Sequence, residues 1–236
     1  METYNEFLTR INSFQNSVLD LGTGNFEVNT SLQNKVSQSN TFNPFYGDTV
    51  VFDLKNNEKA VLSDYIDRLY RTVPECFCER LVPDTLHMTL HDLSNSPILK
   101  DIAEDLFNNE IKLLKKLNVE SIGKPTITMQ STSVFNMVNT SLVLGLKPVN
   151  EEEYKKLIKL YNYVDSIRSL PYPLTPHITL AYFNINGFDS DAKRNLELIV
   201  NEINKNKMII ELNTERLLYQ KFLSMNEYIS VFNLQK

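Results

Sequence analysis

The chain has two cysteines, three histidines and no run of 18 or more apolar residues in its 236 positions. Each scarcity removes a class of protein. Without a long apolar run no membrane-spanning helix is expected. The start METYNEFLTR lacks the basic-then-apolar layout of a signal peptide, so a cytoplasmic protein is expected. Cys76 and Cys78 stand alone in a C-x-C spacing that is neither half a zinc knuckle nor a thioredoxin motif. Two buried thiols in a reducing compartment are the better expectation, and a disulfide framework is excluded. Basic charge is short too: a formal net charge of −5 and a pI near 5.3 leave no general surface for gripping long nucleic acid by counterion release. No G-x-S-x-G turn and no P-loop is present.

What remains is an ordinary globular composition, 42% hydrophobic, in a chain long enough to bury a real core. Phe7, Leu8, Ile11, Phe14, Val18 and Leu19 recur at helical spacing and predict an amphipathic helix over residues 3–19. Gly22 and Gly24 end it. The stretch from there to Gly47 is so rich in Asn, Ser, Thr and Gln that it reads as a long polar loop, a lid or a mobile arm.

From residue 47 the pattern becomes rhythmic. Strands are expected at 49–54, 85–93 and 126–135, with helices at 57–70 and 97–117 between them. The series then restarts, with strands at 140–146, 175–183 and 208–218 and helices at 151–167 and 190–203, and a last strand at 228–234 closes the chain. The restart is a repeat. PDTLHMTL at 83–90 returns as PLTPHITL at 173–180 (177 − 87 = 90), and VFDLK at 51–55 stands against VLGLK at 143–147 (143 − 51 = 92). The expected organisation is an N-terminal helix and polar loop over 1–46, then a two-lobed domain over 47–236. Its first β-α-β-α-β repeat is about 47–136, its second about 137–219, and a closing strand lies in 220–236. Two copies of one unit pack most simply about a pseudo-twofold axis, with equivalent segments facing each other.

Alternation along a strand places Thr85, His87, Thr89 and His91 on one face of the first motif and Leu86, Met88 and Leu90 on the other. Thr175, His177 and Thr179 share a face in the second. The apolar faces must pack, because burying an unpartnered hydroxyl or imidazole costs about 1–3 kcal/mol, so the polar faces line a cleft. A lone strand histidine is more often structural than catalytic, but two at matched register are a different signal. His87 and His91 cannot share a zinc ion, because four residues of strand span roughly 13 Å; no metal or cofactor is expected. Two opposed imidazoles, each followed two residues on by a hydroxyl, suit one proton removed and one delivered around an anion, as in phosphodiester cleavage. The threonine hydroxyls can donate to the non-bridging oxygens.

The pair His87-Met88-Thr89-Leu90 and His177-Ile178-Thr179-Leu180 resembles the H-x-T/S-x signature of the two-histidine (2H) phosphoesterase superfamily, which includes RNA 2′,5′-ligase-like proteins and cyclic nucleotide phosphodiesterases. The resemblance covers about residues 47–236, including the ending LLYQKFLSMNEYISVF. The front end, LGTGNFEVN and NPFYGDTVVF, looks like an uncharacterised bacterial branch of that superfamily. The resemblance implies an α+β, bilobal fold of two antiparallel sheets with outer helices and a central cleft carrying both motifs. It implies His87 and His177 as acid and base, in an order the sequence leaves open, and Thr89 and Thr179 as phosphate ligands. His91 has Ala181 as its counterpart, so the cleft is asymmetric, and His91 is expected to contact a base or a second phosphate. Tyr46 is a candidate for stacking on a base, and Arg80 and Lys221 for attracting phosphate. The expected substrate is a small nucleotide or short oligonucleotide with a 2′,3′-cyclic phosphate or a 2′,5′ linkage, handled by a monomer. The rivals are a binding module without turnover, and a duplicated scaffold whose polar strands merely meet.

Overall fold

Strand pairing decides where the two histidines come together. In this computed structural model the described residues are 2–15 and 19–235. In chain order the elements are α1 (Tyr4–Gln15), β1 (Tyr46–Asp53), α2 (Asn56–Thr72), β2 (His87–Ser96), α3 (Leu99–Val119), β3 (Thr126–Met137), β4 (Ser141–Pro148), α4 (Glu151–Asp165), β5 (His177–Tyr182), α5 (Ser190–Asn204), β6 (Ile209–Asn213), β7 (Leu217–Ser224) and β8 (Glu227–Asn233). The strands form two antiparallel four-stranded sheets, ordered β2-β1-β7-β8 and β5-β4-β3-β6. The helices lie outside them, and the fold is the α+β, two-sheet architecture expected. Among the described residues no helix is long and apolar enough to cross a membrane.

Local chemistry sets the element ends. Asn150 and Asp189 cap α4 and α5 by accepting from the backbone N–H of Glu153 and of Asp191 and Ala192, satisfying donors the first helical turn cannot. The first helix is described over Tyr4–Gln15; Val18 and the Phe14 side chain lie outside the described residues. Phe7 and Ile11 are buried against Tyr154 of α4, and the Tyr154 hydroxyl donates to the Glu2 carbonyl at 2.7 Å.

The strand expected over 208–218 is in fact two. Asn213 accepts from the Glu215 N–H at 2.8 Å and starts a 3₁₀ turn, Thr214–Arg216, an alternative hydrogen bond that ends the ladder. Arg216 Nε donates to the Asp53 carbonyl at 3.1 Å and Nη2 pairs with the Asp53 carboxylate at 2.6 Å. The chain therefore leaves the second sheet after β6 and enters the first as β7. Likewise β3, the last strand of the first sequence repeat, belongs to the second sheet. Each lobe is thus completed by strand from the other half of the sequence, and the repeat boundaries at 136 and 219 are not lobe boundaries.

The polar segment 22–45 is no free arm. Phe26, Leu32, Val36 and Phe45 are all buried in the main core, and at about 1.5–3 kcal/mol per large apolar side chain these few anchors outweigh the polar residues between them. Phe26 exchanges backbone hydrogen bonds with Phe188. Gly22 and Gly24 adopt φ of +69° and +72°, where a side chain is disfavoured, and their carbonyls both accept from the buried Lys193 ammonium, at 2.6 and 2.9 Å. Cys76 and Cys78 are free and buried, and burial pushes each thiol up to about 12.

Candidate active site

β2 and β5 are the edge strands of their sheets and pack against each other, so the two repeated motifs meet at the seam between lobes. His87 and His177 open these strands. Burial alternates through both motifs: Leu86, Met88 and Leu90 are buried, as are Ile178 and Leu180, while His87, Thr89, His177 and Thr179 are half-buried and line one cavity of about 420 Å³, a size suited to a small ligand.

The imidazoles are held identically. His87 Nδ1 lies 2.7 Å from the Thr85 carbonyl, and His177 Nδ1 lies 2.7 Å from the Thr175 carbonyl. A carbonyl only accepts, so each Nδ1 carries the proton and each neutral ring keeps its lone pair on Nε2. Burial pulls His87 down to about 4, against the Thr85 carbonyl and Asp92 and with help from the charge of His177. His177 is also lowered, by burial first, with Lys35 acting in the same direction and the Thr175 carbonyl and Asp92 against it.

Alternation fails one residue after each threonine. Val51 faces Thr89 but Val50 faces His91, so Leu90 is an extra residue; Val143 faces Thr179 and Leu142 faces Ala181, so Leu180 is its counterpart. Such bulges re-aim the side chains that follow. His91, expected to share the cleft face, still borders the cavity but has its ring turned inward. It is 1% exposed, Nε2 lies 3.0 Å from Asp165 Oδ1, the ring sits 5.0 Å from Tyr161, and Nδ1 has no hydrogen-bond partner among the described residues. Thr85 lies just before β2, in the 3₁₀ turn Pro83–Thr85, although it still lines the cavity.

The bulges send Asp92 and, at the matching position, Tyr182 into the cavity wall. The sequence reading passed over Asp92 as a site residue, because nothing local signals a bulge. It also passed over Lys35, hidden in the polar segment, whose Nζ lies 5.2 Å from the Phe45 ring centre and 5.6 Å from that of Tyr182. Tyr228 of β8 presents its ring edge-on to His87 at 5.0 Å. Tyr46 is not among the cavity-lining residues; it pairs with Ser96 at the far end of β1. Arg80 and Lys221 are also outside the wall, paired with Asp67 and Glu110. Among the described residues no three His, Cys, Asp or Glu side chains cluster as a metal would require.

No family model matches the chain, and no curated protein does. Solved structures do. The conserved protein of unknown function ATU0111 from Agrobacterium tumefaciens str. C58 aligns over 89% of this chain and 94% of its own with a TM-score of 0.69 and 14% identity. A phosphoesterase aligns over 80% of this chain and 99% of its own (TM-score 0.46, 15% identity). E. coli LigT complexed with 3′-AMP aligns over 80% and 96% (TM-score 0.45, 13% identity). At 14% identity the TM-score of 0.69 shows that this chain and ATU0111 share a fold. Within the cleft the paired histidines and threonines are symmetric, whereas Lys35, Asp92 and Tyr228 make it one-sided.

Proposed function

We propose that the protein is a metal-independent phosphodiesterase that opens a 2′,3′-cyclic phosphate or cleaves a 2′,5′ linkage in a small nucleotide or short oligonucleotide. The observation that carries this reading is the mirrored Nδ1–carbonyl contact at 2.7 Å in both motifs. It leaves two Nε2 atoms, one per lobe, as the groups able to exchange protons with a ligand in the shared cavity.

One imidazole takes the proton from the attacking water as its oxygen bonds to phosphorus. The other, entering as imidazolium, gives its proton to the ribose oxygen as the P–O bond breaks. No electrons change hands, and the two rings exchange protonation states over one turnover. Thr89 and Thr179 hydroxyls donate to the non-bridging oxygens, where charge grows in the transition state. Tyrosine rings in the wall, Tyr161, Tyr172, Tyr182 and Tyr228, offer faces for a base.

The reaction needs one ring neutral and one protonated. Because both pKa values lie below the ordinary histidine value, the fraction of free enzyme with one proton on the pair is largest on the acid side of neutrality. kcat/KM should therefore peak below pH 6.5, falling toward the acid side as the ring near pKa 4 protonates and toward the alkaline side as the acid ring loses its proton. The deciding experiment is hydrolysis of 2′,3′-cyclic nucleotides and 2′,5′-linked oligoadenylates in EDTA by wild type, His87→Ala and His177→Ala. Turnover by wild type alone supports the reading. Folded wild type that shows a concentration-dependent Tm rise with these ligands but no turnover is a binding module instead.

A further inference from the structure

The cavity wall carries little charge. Apart from the three histidines, Lys35 and Asp92 are its charged side chains among the described residues. Both are placed by backbone structure. Lys35 follows the 3₁₀ turn Thr30–Asn34; its N–H donates to the Leu32 carbonyl and its carbonyl accepts from Asn43 N–H, and Leu32 and Val36 on either side are fully buried. The ammonium is thus fixed over the Phe45 and Tyr182 rings, where cation–π attraction holds it without neutralising it. Asp92 is aimed into the same space by the Leu90 bulge and is paired across the sheet with Thr49. Burial pulls the Lys35 ammonium below its ordinary pKa and the Asp92 charge opposes that fall, as it opposes the fall at both imidazoles.

With Lys35 and Asp92 offsetting each other, the single proton shared by the two imidazoles in the reactive state gives the cleft one net positive charge, enough for one phosphate charge and none for a second. A cyclic or bridging phosphodiester carries one negative charge. The phosphomonoester formed from a cyclic phosphate has a second pKa near 6 and is mostly dianionic at pH 7.5. We propose that Lys35 and Asp92 act as a charge-selecting pair: Lys35 anchors the single negative charge of the substrate, and Asp92 repels the second charge of the product and so promotes its release. The inference rests on the phosphodiesterase reading and names the substrate class of that site, a singly charged phosphodiester without additional phosphates.

The test measures dissociation constants of adenosine 2′,3′-cyclic phosphate and adenosine 3′-monophosphate at pH 7.5, using the full chain as wild type, Lys35→Met and Asp92→Asn. KM and product-inhibition constants substitute where turnover occurs. Lys35→Met should weaken both ligands tenfold or more. Asp92→Asn should lower the ratio of the monophosphate constant to the cyclic phosphate constant about fivefold or more, since one like charge has been removed from the cavity wall. Lys35→Arg, which keeps the charge, should recover most of the binding lost in Lys35→Met. An unchanged ratio in Asp92→Asn, or undiminished binding in Lys35→Met, overturns the pair. If wild type binds both anions with the expected ratios but turns over neither, the phosphodiesterase reading falls while charge selection stands. If wild type binds neither, both fall.

Discussion

The two halves of the cleft match up to the threonine and part company after it. In each, the carbonyl of the threonine two residues before the histidine fixes its tautomer at the same 2.7 Å, and a bulge follows at Leu90 or Leu180. Beyond the bulge the first half supplies His91 and Asp92, the second Ala181 and Tyr182. Supports differ as well. Lys59 of α2 holds the first turn through the Asp84 carbonyl at 3.0 Å. Arg10 of α1 holds the second through Thr175 Oγ1 at 3.0 Å and the Leu174 carbonyl at 2.9 Å. On the proposed mechanism, what the two halves keep in common is what proton transfer at phosphorus requires, and what differs surrounds that chemistry and is free to select the ligand.

Removing either imidazole should have the largest effect. His87→Ala and His177→Ala are each expected to cost about 10²–10⁴ in kcat, and the double variant should be little worse than the poorer single one, because the rings act as a unit. Multiplicative losses in the double variant would mean that the two rings contribute independently rather than as a unit. Next in size, Thr89→Val and Thr179→Val should each lower kcat/KM about tenfold or more, to similar extents if the phosphate sits on the pseudo-twofold axis; a large difference in steady-state kinetics between them would show it lies off the axis.

Smaller effects should separate the supports. Arg10→Met frees the turn that orients His177, so kcat should fall several-fold in wild type and hardly further in His177→Ala. An equal fall in both backgrounds would make Arg10 a general stabiliser instead. The final contrast appears in stability. Asp48, fully buried in the first sheet, accepts from Ser94 N–H at 2.8 Å, Tyr219 hydroxyl at 2.9 Å and Asn109 amide at 3.1 Å, whereas the repeat places Thr140 at the equivalent position of the second lobe. Burial raises its pKa to about 6, although these donors and Lys221 oppose the rise. The native state then binds a proton more tightly than the unfolded chain. Its stabilising contribution is complete below about pH 4 and lost as pH rises through 6, a change on the order of 2 kcal/mol. Asp48→Asn should flatten the urea-derived stability between pH 4 and 7; an unaltered pH dependence would assign it elsewhere.

Much of this was legible in the sequence for a physical reason. Helix and strand periods are local, so the repeat, the outer helices and the face shared by His87 and Thr89 or His177 and Thr179 follow from spacing alone. Three things were not. A bulge needs one extra residue that the partner strand defines, so Asp92 and the inward turn of His91 were hidden. The break at Asn213 has the Asn-x-Glu character of a turn, yet the change of sheet depends on Asp53, far away in the chain. Lys35 sits in a segment whose composition reads as loop, and only its spaced anchors, such as Leu32 and Val36, tie it to the cleft.

The most direct test of the account is the pH dependence of kcat/KM for adenosine 2′,3′-cyclic phosphate in the presence of EDTA, for wild type and for each single histidine variant. Two cooperating imidazoles predict a bell peaking below pH 6.5 in wild type, with one limb lost in each variant's residual activity. A flat profile, or activity abolished by chelation, would contradict the two-histidine mechanism.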